Sequence, residues 1–250
     1  ISTGKVMVSI DDGITLTAPT TTVGFADVMF TPVQTGVNDH IIIPGRISPQ
    51  IYVYHSFDGG FTYTQRTHLA GSQYGTWVSN TLNYDGFIYV TKTCWKPHTG
   101  GTGLYRSTDN GYTWTHYFQI STTTVLFLPS GPYVGRVVVQ LVSPSRLYVA
   151  DSIESTFSTV YTFDFQVQRL TVSEDGVLYC GSSSWDTPPS YNSDRAAQLY
   201  RSTDGGVSFH IFGDIQLGVY RLVNPLLIAP NGKLLMGTQN FIDVSIRCPG

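Results

Sequence analysis

Ser107-Thr-Asp-Asn-Gly-Tyr-Thr-Trp114 decides how this chain is read, because it recurs. Ser56-Phe-Asp-Gly-Gly-Phe-Thr-Tyr63 and Ser202-Thr-Asp-Gly-Gly-Val-Ser-Phe209 repeat its template of Ser-x-Asp-x-Gly-x-Thr/Ser-aromatic. Ser9-Ile-Asp-Asp-Gly-Ile-Thr-Leu16 departs from it only at the last position. Short apolar segments such as Ile51-Tyr-Val-Tyr54, Leu104-Tyr105 and Leu199-Tyr200 precede the copies, and β-rich runs follow them. The template therefore belongs on hairpin turns. The residue types suit that place. An Asp carboxylate (Asp11, Asp58, Asp109, Asp204) accepts backbone N–H bonds within the turn. A glycine (Gly13, Gly60, Gly111, Gly206) takes the positive-φ position, and the terminal residue, Trp114 in the first-quoted copy, packs on the sheet.

Spacing extends the pattern to the whole chain. Ser9, Ser56, Ser107 and Ser202 are 47, 51 and 95 residues apart, and the last interval is two periods of about 48. A turn is thus expected near position 150, where Arg146-Leu-Tyr-Val-Ala-Asp-Ser-Ile-Glu154 keeps the strand but has lost the Asp-Gly turn. A second series of turns runs in phase with the first: Val37-Asn-Asp39, Tyr84-Asp-Gly86, Tyr133-Val-Gly135, Glu174-Asp-Gly176 and Pro230-Asn-Gly232. Each introduces an apolar strand, for example Phe87-Ile-Tyr-Val90 or Val177-Leu-Tyr-Cys180. Five pairs of hairpins make five four-stranded antiparallel blades, an all-β, five-bladed β-propeller filling residues 1–250 as a single domain. Its ring is expected to close by pairing the N-terminal strands three and four (Lys5–Ser9 and Ile14–Thr17) with the C-terminal strands one and two (Tyr220–Ala229 and Lys233–Gly237).

Composition agrees. Only 12% of residues are charged, about half the usual share, and the chain holds 25 glycines and 13 prolines. Lysine is confined to Lys5, Lys92, Lys96 and Lys233, and glutamate to Glu154 and Glu174, too few to clothe helices. With a net charge of −3 and no Lys/Arg run, a nucleic-acid partner is not expected. No window of about 18 apolar residues occurs, so no membrane insertion is expected. The chain opens at Ile1 in what reads as strand, as a mature chain or a fragment would. Cys94, Cys180 and Cys248 lie far apart without a CxxC, which excludes a zinc ribbon and leaves either three buried thiols or one disulfide and a thiol.

The repeated template resembles the Asp box, the bacterial neuraminidase repeat of sialidases, sortilin-type receptors, some endoglucanases and photosystem assembly factors. The resemblance implies a β-propeller whose box turns are structural and face away from the active site. It specifies no single activity.

Strands alternate direction within a blade, so the box turns and the strand-one/strand-two turns share one face, and the remaining loops share the other. Two loops on that other face are long and aromatic, Thr91–Gly103 and Gly181–Ala197. Trp95, Trp185 and Tyr191 suit stacking on sugar rings, and Lys96, His98, Asp186, Asn192, Asp194 and Arg195 suit bonding hydroxyls or a carboxylate. The innermost strands add Asp27, Trp77, Ser79, Gln168, Arg169, Tyr220 and Arg221 near the channel mouth.

A sialidase-like site would use three arginines, a tyrosine nucleophile paired with a glutamate, and an aspartate acid/base. Tyr220, Arg169, Arg221 and Asp27 are the candidates for such a role, with Arg46 too close to the following box to lie on an innermost strand. The glutamate is missing, since Glu154 and Glu174 both fall in turns at the opposite face. The histidines are scattered over His40, His55, His68, His98, His116 and His210, those beside boxes reading as repeat-related surface positions, so no metal and no cofactor is expected. The first reading is a non-catalytic binding or assembly module, extracellular or on a virion surface such as a phage tail. Its partner would be a glycan or a protein on the loop face, and it would form part of a larger assembly. A glycoside hydrolase of the sialidase superfamily and a protein-binding assembly factor are the alternatives.

Overall fold

In a computed structural model, the described residues are 7–11, 14–22, 24, 28–29, 33–47, 50–69, 76–94, 101–119, 122–141, 146–163, 166–183, 199–212, 223–229, 232–238 and 244–247. Every regular element among them is a strand, and no helix there is long and apolar enough to cross a membrane. Backbone contacts divide the chain into two compact units, 1–123 and 124–250.

The first unit opens with an isolated antiparallel bridge, Val8 to Thr17, across the first copy of the template. Strand β1 (Thr20–Thr21) then runs parallel to β6 (Thr62–Tyr63). Around β6 lies an antiparallel sheet in which β2 (Val28–Met29) and β3 (Val33–Gln34) both pair with β4 (Ile41–Ile47), followed in order by β5 (Gln50–Ser56) and β7 (Gln65–Leu69). The next sheet is a four-stranded meander of β8 (Thr76–Tyr84), β9 (Phe87–Cys94), β10 (Gly103–Ser107) and β11 (Thr115–Phe118). Ile51, Leu69, Val78, Val90 and Tyr105 form a buried cluster joining these two sheets, with Trp114 against it.

The second unit repeats the meander. Strands β12 (Thr122–Phe127), β13 (Val137–Leu141), β14 (Arg146–Ala150) and β15 (Ser158–Thr162) form one sheet. Strands β16 (Gln166–Val172), β17 (Leu178–Ser183), β18 (Leu199–Ser202) and β19 (His210–Ile211) form the next. Leu128, Val138, Leu147, Val149, Leu170, Leu178, Cys180 and Phe209 fill the core between them, and the Cys180 thiol is free and buried. The last sheet contains β20 (Val223–Ile228), β21 (Lys233–Thr238) and β22 (Val244–Arg247).

The hairpin phase read from the repeats is the phase observed, with two corrections. Among the described residues the last sheet has three strands, and β22 occupies the edge of β21 that the ring-closure scheme assigned to Lys5–Ser9. Val244-Ser-Ile-Arg247 alternates apolar and polar residues and pairs Ile246 with Leu234 and Val244 with Met236, so it satisfies that edge from within its own unit. In the first sheet, the strand-one position is split between β2 and β3.

Candidate functional site

Three copies of the template close the same network. In the Ser107 turn, Ser107 Oγ donates to Asp109 Oδ1 (2.8 Å), the Gly111 N–H to Ser107 Oγ (2.8 Å), the Thr113 N–H to Asp109 Oδ1 (2.8 Å) and Thr113 Oγ1 to Asp109 Oδ2 (2.6 Å). The Ser56 turn repeats these bonds with Asp58, Gly60 and Thr62. The Ser202 turn does so with Asp204, Gly206 and Ser208. In the Ser9 copy Ser9 and Thr15 hold Asp11 in the same way, while Gly13 lies outside the described residues. Donors on both oxygens hold the carboxyls low, Asp11 at about 2 through Thr15 and then Ser9. A carboxylate so occupied is a poor acid, base or metal ligand.

The box glycines combine left-handed φ with close approach. Gly60, Gly111 and Gly206 have φ of 96°, 90° and 93°. A Cβ on Gly206 would sit 3.3 Å from Leu178 Cδ1 and 3.8 Å from Val149, and one on Gly111 would meet Ile42 and His55 of the adjoining sheet at 3.4 and 3.5 Å. The terminal aromatics Tyr63 and Phe209 are buried and Trp114 is half-buried, its indole N–H donating to Gly111 O (3.0 Å), while Leu16 is exposed.

Within each unit, turns of the two series touch. The Gly59 N–H donates to Asp39 O (3.1 Å). Arg136 bridges Asp151 (2.8 Å) in the turn that lost its box and reaches Gly205 O (3.5 Å), and Ser130 Oγ donates to Glu174 O (2.5 Å). Both glutamates, Glu154 and Glu174, stand exposed in these turns.

The opposite ends of the sheets carry the strand-two/strand-three connections, and one foot of the first long loop is well defined. Lys92 on β9 is fully buried, its ammonium 5.4 Å from the Tyr105 ring centre, and burial pulls it down to about 8. His116 stacks on the same ring at 4.4 Å and bonds Thr102 O (2.8 Å), while the Tyr105 hydroxyl donates to Gly101 O (2.9 Å). Gly103 returns the chain with φ 129°, where a Cβ would lie 1.8 Å from Phe118 O. The loop end is thus clamped by a cation, a phenol and an imidazole that the template does not encode.

Of the candidates read from the sequence, Trp95, Lys96, His98, Trp185, Asp186, Tyr191, Asn192, Asp194 and Arg195 lie outside the described residues, as do Asp27, Tyr220 and Arg221. Trp77 is placed by its backbone opposite Thr93, and Arg169 opposite Gly181; their side chains lie outside the described set. Ser79 and Gln168 fall at the irregularities where β8 meets β9 and β16 meets β17, and β20 breaks register similarly between Val223 and Leu226. Ser79 Oγ bonds Thr91 Oγ1 (2.9 Å) and Thr122 O (3.1 Å). Such bulges re-aim side chains, and their recurrence near the starts of first strands was not visible in the repeat pattern. Arg46 lies on β4, second in its sheet.

His55 is a correction. It is fully buried rather than at the surface, because β5 is covered on that face and His40, also buried, meets it at 3.1 Å (Nε2 to Nδ1). The available signal was its place in the apolar strand Ile51–Ser56. Among the described residues no group of three or more His, Cys, Asp or Glu is placed to hold a metal.

At the level of sequence, no family profile and no curated protein matches the chain. Solved structures do match it in fold. An ancestral GH74 enzyme superposes over 99% of this chain and 34% of its own length, with a TM-score of 0.66 at 13% identity. A protein of unknown function from Dyadobacter fermentans covers 83% of the chain and 73% of itself (TM-score 0.52, 16% identity), and the Dos1 propeller covers 88% and 57% (0.52, 12%). The chain spans about a third of the length of the GH74 enzyme. These likenesses define the class as an all-β, propeller-like fold of antiparallel sheets.

Proposed function

We propose that the chain is a five-bladed propeller of the Asp-box type whose role is to bind rather than to catalyse. It works outside the cytoplasm or on a virion surface and holds a glycan on the face carrying the two long loops. The observation carrying this reading is the placement of the acids: the box carboxylates are saturated by their own turns, and both glutamates stand exposed in turns of their own sheets. A retaining or inverting glycosidase needs two carboxyl groups facing one bond. The loops that leave the other ends of the β8–β11 and β16–β19 sheets bring Trp95, Trp185 and Tyr191, ring faces suited to sugars.

A glycan array on the whole chain, with Trp95→Ala and Trp185→Ala beside it, tests the reading. Binding to a defined glycan class that falls at least about tenfold in each variant is expected. Turnover of an aryl glycoside or sialoside that disappears in Tyr220→Phe replaces the reading with a glycoside hydrolase. An empty array together with a stable protein complex through the loop face replaces it with an assembly factor.

A further inference from the structure

The buried histidines lie in one ordered proton chain. Thr67 Oγ1 donates to Gly111 O (2.9 Å), because a carbonyl only accepts. The Thr67 oxygen then accepts from His55 Nε2 (3.2 Å), which makes His55 Nδ1 an acceptor for His40 Nε2 (3.1 Å), and His40 Nδ1 an acceptor for the Thr35 hydroxyl (3.0 Å). Thr35 Oγ1 in turn accepts the Val37 N–H (3.4 Å). One proton sits on each link, all pointing the same way. The chain starts in the β3–β4 turn and ends on the box turn of the neighbouring β8–β11 sheet, so it ties two sheets together.

The rings around it form two layers. His40 and His55 lie side by side, 14° from parallel, with Phe57 stacked on His40 at 4.5 Å and Tyr112 on His55 at 4.8 Å. Phe57 and Tyr112 are 49% and 39% exposed, whereas His40 and His55 are 3% and 0%, so two partly solvated rings cover the imidazoles. The charges that reach His55 are few. Asp109 acts on it from the neighbouring box, but its oxygens are held by Ser107 and Thr113, and His40 opposes any charge on His55. Asp58, in the same sheet's box turn, is held by Ser56 and Thr62, and Arg66 of β7 lies over Tyr52. Burial alone lowers His40, and burial followed by His40 lowers His55 to about 4.

We propose that this chain is an acid-sensitive latch between the β2–β7 sheet and the box turn of the β8–β11 sheet, closed while both imidazoles are neutral and released when they are protonated. One added proton can be absorbed by reversing the links as far as Thr35, at the cost of a buried charge. A second leaves two N–H groups facing each other at 3.1 Å, and the tie to Gly111 then loses its partner ring. The latch does not depend on the loop-face ligand, and its test is independent of binding.

The experiment is a histidine-selective ¹⁵N NMR titration of the whole chain from pH 7.5 to 4, with urea unfolding over the same range. Both rings are expected as Nε2–H tautomers at pH 7.5, with His55 charging far below the usual histidine midpoint. The unfolding constant should grow about a hundredfold as pH falls from about 6.5 to 4. In a His40→Phe/His55→Phe chain that dependence should flatten. An Nδ1–H tautomer on either ring, a His55 midpoint at the usual value, or unchanged acid sensitivity in the double variant overturns the latch. Should the double variant not fold, the wild-type tautomers and midpoints decide alone.

Discussion

The two ends of the β8–β11 sheet are stabilised by different means. At the turn end, no bond of the Ser107 network joins residues more than four apart, so each is made by atoms that the sequence itself puts in reach. At the loop end, the Tyr105 hydroxyl bonds nearby Gly101 O, but Lys92 and His116 reach the Tyr105 ring from other strands, positions that no short-range pattern joins. Local chemistry therefore fixes where the chain turns, and tertiary packing fixes what it presents. The first recurs in the Ser56 and Ser202 turns; the second rests on residues brought together from different strands.

Substitutions sharpen that contrast, beginning with the largest expected effect. Gly103→Ala forces a methyl into the Phe118 carbonyl at 1.8 Å, so β10 and β11 must separate, and a loss of about 3 kcal/mol or more in urea unfolding is expected. The matching change at the turn end, Gly86→Ala, meets open space and faces only its φ of 76°, about 1 kcal/mol. Equal losses at the two sites would erase the distinction. Asp109→Ala removes the acceptor of three bonds in a well-solvated turn and should cost about 1 to 2 kcal/mol by the same assay. With an intact Asp109, stability is full above the ordinary carboxyl pKa and is lost as pH falls through the lower folded value, so the variant should also lose part of the acid sensitivity below about pH 4.

Lys92 gives the opposite signature. Its folded value of about 8 lies below the ordinary 10.5, so the unfolded chain holds the proton more tightly between those values, and stability rises with pH across them. Lys92→Met should flatten that rise, measured as the unfolding midpoint between pH 7.5 and 10.5. A variant with an unchanged slope would show that the clamp is wet. The smallest effect belongs to Arg136→Ala: its partner Asp151 is largely exposed, and a change of about 0.5 kcal/mol in the same unfolding assay is expected.

What was legible in the sequence follows the same division. The box turns, the second turn series and the degenerate turn near 150 were readable because Ser, Asp, Gly and Thr act on their own backbone. Even the Asp151–Ser155 turn kept its place after losing the template, held by a Ser155 N–H to Ser152 O bond of 3.1 Å and by Arg136. The apolar strand around His55 signals its burial, but nothing beside it in sequence reveals that His40, fifteen residues earlier, is its partner. The closure scheme likewise gave β21 the wrong neighbour, since Val244–Arg247 is too short a segment to declare its strand by pattern alone. Lys92 reads from the sequence as part of the Thr91–Gly103 loop, whereas the structure puts it in β9 and buries it, because a buried cation is a property of the sheets around it.

On the proposed reading the box turns are structural and a ligand is met at the loop ends of the sheets. The most direct test measures ligand affinity and glycoside turnover for the Glu154→Gln/Glu174→Gln chain against Trp185→Ala. Unaltered binding in the first, a loss of about tenfold or more in the second, and turnover in neither is the predicted result. Turnover by the parent chain that the glutamine pair abolishes would contradict it.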